Sequence, residues 1–230
     1  NYSLIEEALL PLRIPARFEV RPVVKVDPFI QGVLPSFTKE SLLATVQTLQ
    51  DFKSRYVREP GNKAATDWLA AEFAKIPGLE VSTPAFHTSS GKLSNVVAIQ
   101  KGGKEPKTVF VVCGHFDSTV SSYDRKNAPG ADDNATGAAG TLEMARVLGK
   151  LHFPYTIIYA GMNAEETGLV GSKAYAKTLA NTAGIQIKAV FNMDMIADRD
   201  DNDVAVIGNT RSNWLIDVFK DAALAYTGLK

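Results

Sequence analysis

The sequence predicts an α/β domain with three layers, α/β/α, around a mixed, mainly parallel central sheet. Strand-like apolar runs alternate with segments of helical period from about residue 95 onward, which is the signature of βαβ units. The run Val109-Phe110-Val111-Val112-Cys113 is apolar without alternation, so its strand is covered on both faces, as in a buried parallel sheet. With 45% apolar residues in 230, the chain can also bury a sizeable core.

The elements follow in order. Residues 1–35 carry Pro11, Pro15, Pro22, Pro28 and Pro35, which exclude a long helix and read as an N-terminal extension ahead of a domain at 36–230. Over 40–56, Leu42, Val46, Leu49 and Phe52 fall on one helical face. Pro60-Gly61 breaks that helix. A second follows with Ala65, Trp68, Leu69 and Phe73 inward, closed by Pro77-Gly78. Strands are expected at 80–86 and 95–100, joined by a Ser-Ser-Gly turn, and at 109–113. Then come a helix at 135–149, a strand at 155–160, a helix at 170–179, strands at 187–193 and 203–208, and a helix at 212–226.

Twenty-five basic residues balance 25 acidic ones, so there is no electrostatic case for a nucleic-acid partner or an anionic membrane surface. No apolar run approaches the roughly 20 residues that span a bilayer. The single cysteine, Cys113, excludes an intrachain disulfide framework and reads as a buried core thiol. A start at Asn1 without a signal peptide fits either a trimmed sequence or a mature exported protein, and the expectation leans to export, secreted or periplasmic.

Polar residues cluster where the strands end. The 109–113 strand runs into Gly114-His115-Phe116-Asp117-Ser118, the 155–160 strand into Asn163-Ala164-Glu165-Glu166, and the 187–193 strand into Asn192-Met193-Asp194. Between the first two lies Pro129-Gly130-Ala131-Asp132-Asp133-Asn134, leading into a helix. Open α/β sheets gather functional groups beyond the carboxyl ends of their strands, and converging His, Asp and Glu suit a hard or borderline cation. Taken singly, each has a plainer reading: a hydrogen-bonding histidine, an Asp or Asn helix cap, a solvated helix start at Glu165-Glu166. Asp194 lies between Met193 and Met195 and is expected to be buried, where a carboxylate needs a partner or a metal. Four such motifs in this order favour the cation.

These motifs resemble those of the bacterial leucyl aminopeptidase family, which includes glutamate carboxypeptidase II and transferrin-receptor-like proteins. The resemblance runs over residues 40–226, with Asn95-Val96-Val97-Ala98 similar to the family's entry strand. It implies a zinc exopeptidase-like fold and two zinc ions sharing one carboxylate. His115 and Asp194 would hold the first ion, Asp133 would bridge, and Glu166 would bind the second. Asp117 would accept the free N–H of the His115 ring and fix its tautomer. Asp132 is left without a ligand role, and a cis Asp133–Asn134 bond is expected. Glu165 would be the general base for hydrolysis of an N-terminal peptide bond in a peptide substrate.

One departure stands out. The family's second zinc takes a histidine from a loop near the C-terminal end of the domain, and nothing after Asp194 supplies one: the chain contains only His87, His115 and His152. A missing C-terminal segment or a partner chain would have to complete that site, with exposed apolar surface expected where such elements pack. His87 and His152 read as structural. Asp198-Arg199-Asp200-Asp201-Asn202-Asp203 lacks the Gly and Glu of an EF-hand and reads as a solvated turn. Asn134-Ala135-Thr136 fits a glycosylation acceptor, but a glycan there would block the site. A one-zinc glutaminyl cyclase and a catalytically silent receptor-like module remain as alternatives to the aminopeptidase.

Overall fold

A computed structural model of the chain describes residues 26–121, 124–197 and 205–227. It divides into a unit from Asp27 to Val204 and a second formed by the two chain ends, Asn1–Val26 with Ala205–Lys230. Of the expected 1–35 extension, residues 1–25 lie outside the described residues.

In the larger unit a short helix α1 (Pro28–Val33) and one 3-10 turn precede α2 (Lys39–Asp51). The Thr38 side chain caps α2 by accepting from the Ser41 amide. The helix ends earlier than its apolar period suggests, because Ser54–Val57 turn inward as a buried loop. Pro60 then opens α3 (Pro60–Ala74) at its first turn, where the missing N–H costs nothing.

The expected strand at 80–86 is two strands, β1 (Leu79–Ser82) and β2 (Ala85–Thr88), divided at Thr83-Pro84. Pro84 cannot donate to a ladder, and β2 pairs instead with β3 (Gly91–Ser94) in a separate hairpin. The strands β4 (Val96–Gln100), β5 (Glu105–His115), β6 (Tyr155–Met162) and β7 (Gln186–Asn192) complete the main sheet, in the order β1-β4-β6-β5-β7. β5 runs parallel to both β6 and β7, whereas β4 is antiparallel to its neighbours β1 and β6. The sheet is therefore mixed, with four of its five strands pointing one way.

Helices cover both faces. On one, Val96, Ala98, Val112, Ile157 and Tyr159 pack with Leu49 of α2, Leu69 and Phe73 of α3, and Leu142 of α4 (Gly137–Leu148). On the other, Val97, Val111, Cys113, Ile158 and Ala160 meet Tyr175 and Leu179 of α5 (Val170–Ala180). Alternate residues of one strand feed opposite cores, which is why β5 reads as continuously apolar. Burial pushes the Cys113 thiol up to about 12, as an inert core residue requires. β7 is an edge strand, and its Val190 and Phe191 are exposed.

The second unit contains α6 (Asn213–Tyr226). Of the strand expected at 203–208, residues 205–208 form no strand, and the acidic turn at 198–203 lies outside the described residues. Among the described residues, no helix is long and apolar enough to cross a membrane.

Candidate metal centre

Parallel pairing brings three strand ends level. His115 closes β5 opposite Met162 of β6, and Cys113 lies opposite Asn192 of β7. The chain beyond each strand is tied to its neighbour: the Phe116 amide donates to Met162 O at 2.9 Å and the Met193 amide to Cys113 O at 2.8 Å. Glu165 and Glu166 after β6, and Asp194 after β7, therefore open onto the rim that holds His115.

The fourth contribution comes from an irregular turn, Ala131–Thr136, leading into α4. Gly130 enters it at φ +49°, a conformation glycine tolerates, and the Asp133–Asn134 peptide is cis. Asn134 is buried; its side chain donates to Met193 O (3.0 Å) and accepts from the amides of Gly137 (2.8 Å) and Met195 (3.3 Å). A Cβ on Gly137 would lie 2.1 Å from Met193 O, so this helix start can approach the end of β7 only as glycine. Burial of Asn134 also removes it as a glycan acceptor in the folded protein.

His115 Nε2 lies 3.2 Å from Asp133 Oδ1, 3.5 Å from Asp194 Oδ1 and 3.9 Å from Glu165 Oε2. On its other side, Nδ1 is 3.1 Å from the Asp117 carbonyl oxygen. A carbonyl can only accept, so Nδ1 carries a proton, and a neutral ring would turn the Nε2 lone pair towards the carboxylates. Such an arrangement is repulsive unless a cation, either a proton or a metal, stands between them. The charges report the same demand. Burial alone would depress His115, but Asp117 and Asp194 outweigh it and push it up to about 10. Burial raises Asp133 and Glu165, helped by neighbouring carboxylates and opposed by His115. Burial, then Asp133 and Asp117, push Glu166 up to about 7.

Among the described residues, His115, Asp133 and Asp194 each offer one ligand atom, all within 4.8 Å of one another. Zinc bonds of about 2.0–2.1 Å at tetrahedral angles place ligand atoms roughly 3.3 Å apart, close to the 3.2 and 3.5 Å measured from Nε2. One imidazole and two carboxylates left half-exposed (50% for Asp133, 39% for Asp194) form an open donor set that fits zinc.

Glu166 is not part of that group of three. The Asp117 carboxylate lies 3.5 Å from His115 Nδ1, and its backbone carbonyl is nearer still at 3.1 Å. That buried carboxylate also accepts the amides of Glu165 (3.0 Å) and Glu166 (3.2 Å), fixing the turn that carries both. Asp194 is not buried as its apolar flanks suggest, because β7 is an edge strand. Asp132 accepts from Thr136 Oγ1 at 3.3 Å and the Ala197 amide at 3.2 Å, a tie between loops. His87 and His152 are exposed and lie outside the group.

Sequence reasoning passed over a buried amide relay behind Glu165. Asn62 and Asn163 exchange two hydrogen bonds (2.8 and 2.9 Å), and Asn95 accepts the Asn163 amide at 2.9 Å. It also passed over Arg55, wholly buried beside the site. Asn95 and Asn163 stand next to strand motifs and offered a signal, whereas Arg55 offered none.

Fold and site define a class: an α/β domain of the zinc exopeptidase type, with a candidate metal-binding group at the carboxyl rim of the sheet. The chain belongs to Peptidase family M28, which residues 95–229 match. It is 35% identical over 191 residues to a probable zinc metalloprotease of Pyricularia oryzae, covering 74% of this chain and 38% of that protein. The LapA aminopeptidase of Legionella pneumophila shares the fold with a TM-score of 0.68 at 21% identity, over 87% of this chain and 56% of that one. A Bacteroides thetaiotaomicron glutaminyl cyclase does so with a TM-score of 0.63 at 18% identity, over 80% of this chain and 70% of that one. The chain thus spans well under half the length of the metalloprotease relative it matches.

Proposed function

We propose that the chain carries the catalytic centre of a zinc-dependent exopeptidase, an aminopeptidase that removes N-terminal residues from peptides. The observation that carries this reading is the convergence of His115, Asp133 and Asp194 beside a carboxylate, Glu165, that is not one of the three. His115, Asp133 and Asp194 would hold one zinc. Asp133 would bridge to a second that also takes Glu166 and needs a further histidine from outside this chain. When bound, zinc polarises the scissile carbonyl and lowers the pKa of the attacking water.

Glu165 has the position and charge of a general base. Its carboxylate is 3.9 Å from His115 Nε2 and 31% exposed, and burial keeps its pKa raised, nearer to neutrality than a free glutamate. It takes the proton of the attacking water and passes it to the departing amine as the C–O bond forms and the C–N bond breaks. Asp117 keeps Glu165 in place through its backbone. Every one of these residues lies in the unit from Asp27 to Val204. Secretion or a periplasmic location fits the same reading.

The test is hydrolysis of aminoacyl-nitroanilides by the intact protein with zinc. Glu165→Gln should lower kcat about 10²–10⁴-fold while zinc content stays unchanged; an unaltered kcat would remove Glu165 from the mechanism. A one-zinc glutaminyl cyclase is the second reading, favoured by the fact that three donor atoms converge among the described residues. One metal per chain, with pyroglutamate released from N-terminal glutamine, would establish it. A folded, zinc-loaded protein inert to both substrates would be a receptor-like module.

A further inference from the structure

Arg55 follows α2 in the buried loop that leads to α3, and its guanidinium is fully enclosed. Nε donates to the Phe116 carbonyl (2.6 Å), Nη1 to those of Leu49 (3.0 Å) and Pro129 (2.5 Å), and Nη2 to that of Gly130 (2.8 Å). Its own amide donates to Ser118 Oγ at 3.0 Å, and its carbonyl accepts from Asn62 at 2.8 Å. Burying a guanidinium costs several kcal/mol, and every side-chain bond here goes to a neutral oxygen. The favourable charges are Asp117 and Asp133, which support the cation while burial lowers its pKa to about 10.

The acceptors are not scattered. Phe116 stands between His115 and Asp117, and Pro129-Gly130 lead directly into the turn that carries Asp133. One planar fork thus joins the two segments whose side chains face each other at 3.2 Å. Lysine, with a single donor atom, cannot span the same carbonyls.

We propose that Arg55 is a positioning residue for the metal centre: its fork holds the carbonyls of Phe116, Pro129 and Gly130 so that His115 and Asp133 keep ligating distance. The inference rests on the zinc reading. Arg55→Lys retains the charge and loses the fork, and should weaken zinc binding about 10–100-fold, with a smaller rise in Tm on adding zinc. Arg146→Lys is the control. Arg146 bonds Glu72, Glu143, Ser41 and Thr45 near the far end of α4, so this change should lower Tm with and without zinc equally and leave zinc affinity within about twofold.

Should Arg55→Lys fail to fold, the wild-type protein gives the answer by NMR of labelled arginine and histidine during a titration with zinc alone. Zinc should shift the His115 ring and the Arg55 Nε–H together and leave Arg146 in place. A shifted His115 ring with an unmoved Arg55 would overturn the inference and keep the zinc reading. If neither moved, both would fall.

Discussion

The two sides of the candidate centre are built differently. On the β6 side, the Glu165-Glu166 turn rests on Asp117 and on the Asn62–Asn163–Asn95 relay, all buried and all hydrogen-bonded. On the β7 side, Asp194 stands on an exposed edge, with Met195 and Ile196 beside it at 54% and 43% exposure. What restrains that loop is the turn before α4: Asn134 holds Met193 and Met195, Thr136 holds the Ile196 amide at 3.2 Å, and Asp132 holds Ala197. The fold itself therefore fixes Glu165, the proposed general base. The proposed ligands Asp133 and Asp194 are fixed to each other through a single turn, and a cation would have to complete them.

The comparison can be broken or sharpened by substitution. The largest effect is expected on the β6 side, where Asp117→Ala strands two amides; thermal or urea unfolding should show a loss of about 3 kcal/mol or more. Next is Asp133→Asn, which should weaken zinc binding a hundredfold or more, about 2.7 kcal/mol, by calorimetric titration, with little loss of stability in zinc-free protein. A large loss of zinc-free stability would mean that the turn, not the ligand, is what Asp133 serves.

A third expectation concerns pH. Without metal, His115 is raised from 6.5 to about 10, so its contribution is complete below 6.5 and lost as pH rises towards 10. Glu166, raised from 4.5 to about 7, likewise loses its contribution between those values. Zinc needs both deprotonated. The gain in Tm on adding zinc should therefore grow steadily from pH 5 to pH 8, and a flat profile would place the metal elsewhere. The smallest effect is expected for Asp132→Asn, which keeps an oxygen for Thr136 and Ala197: zinc affinity unchanged and stability within about 1 kcal/mol. If it matched Asp133→Asn, the two acidic positions would exchange roles.

Much of this was legible in the sequence because the candidate ligating groups sit in short motifs at strand ends, and strand ends are set by apolar runs. The ladder of parallel strands then carries residues distant in sequence to one rim. Burial was harder to read. Met193 and Met195 made Asp194 look enclosed, yet whether an apolar flank is covered depends on sheet order, and β7 lies at the edge. Arg55 was invisible for the opposite reason. In Lys53-Ser54-Arg55 it looks solvated, and only the tertiary return of the 116 and 129–130 segments supplies its acceptors. The Ser-Ser-Gly turn of the β2–β3 hairpin was legible, whereas the separation of β2 from β1 at Pro84 shows only in the pairing of the strands.

The most direct test of the metal centre is anomalous diffraction at the zinc edge from crystals equilibrated with zinc. The account predicts a peak among His115 Nε2, Asp133 and Asp194, with Glu165 beside it and unbound. A rim left empty at saturating zinc, or a peak held by other side chains, would contradict it.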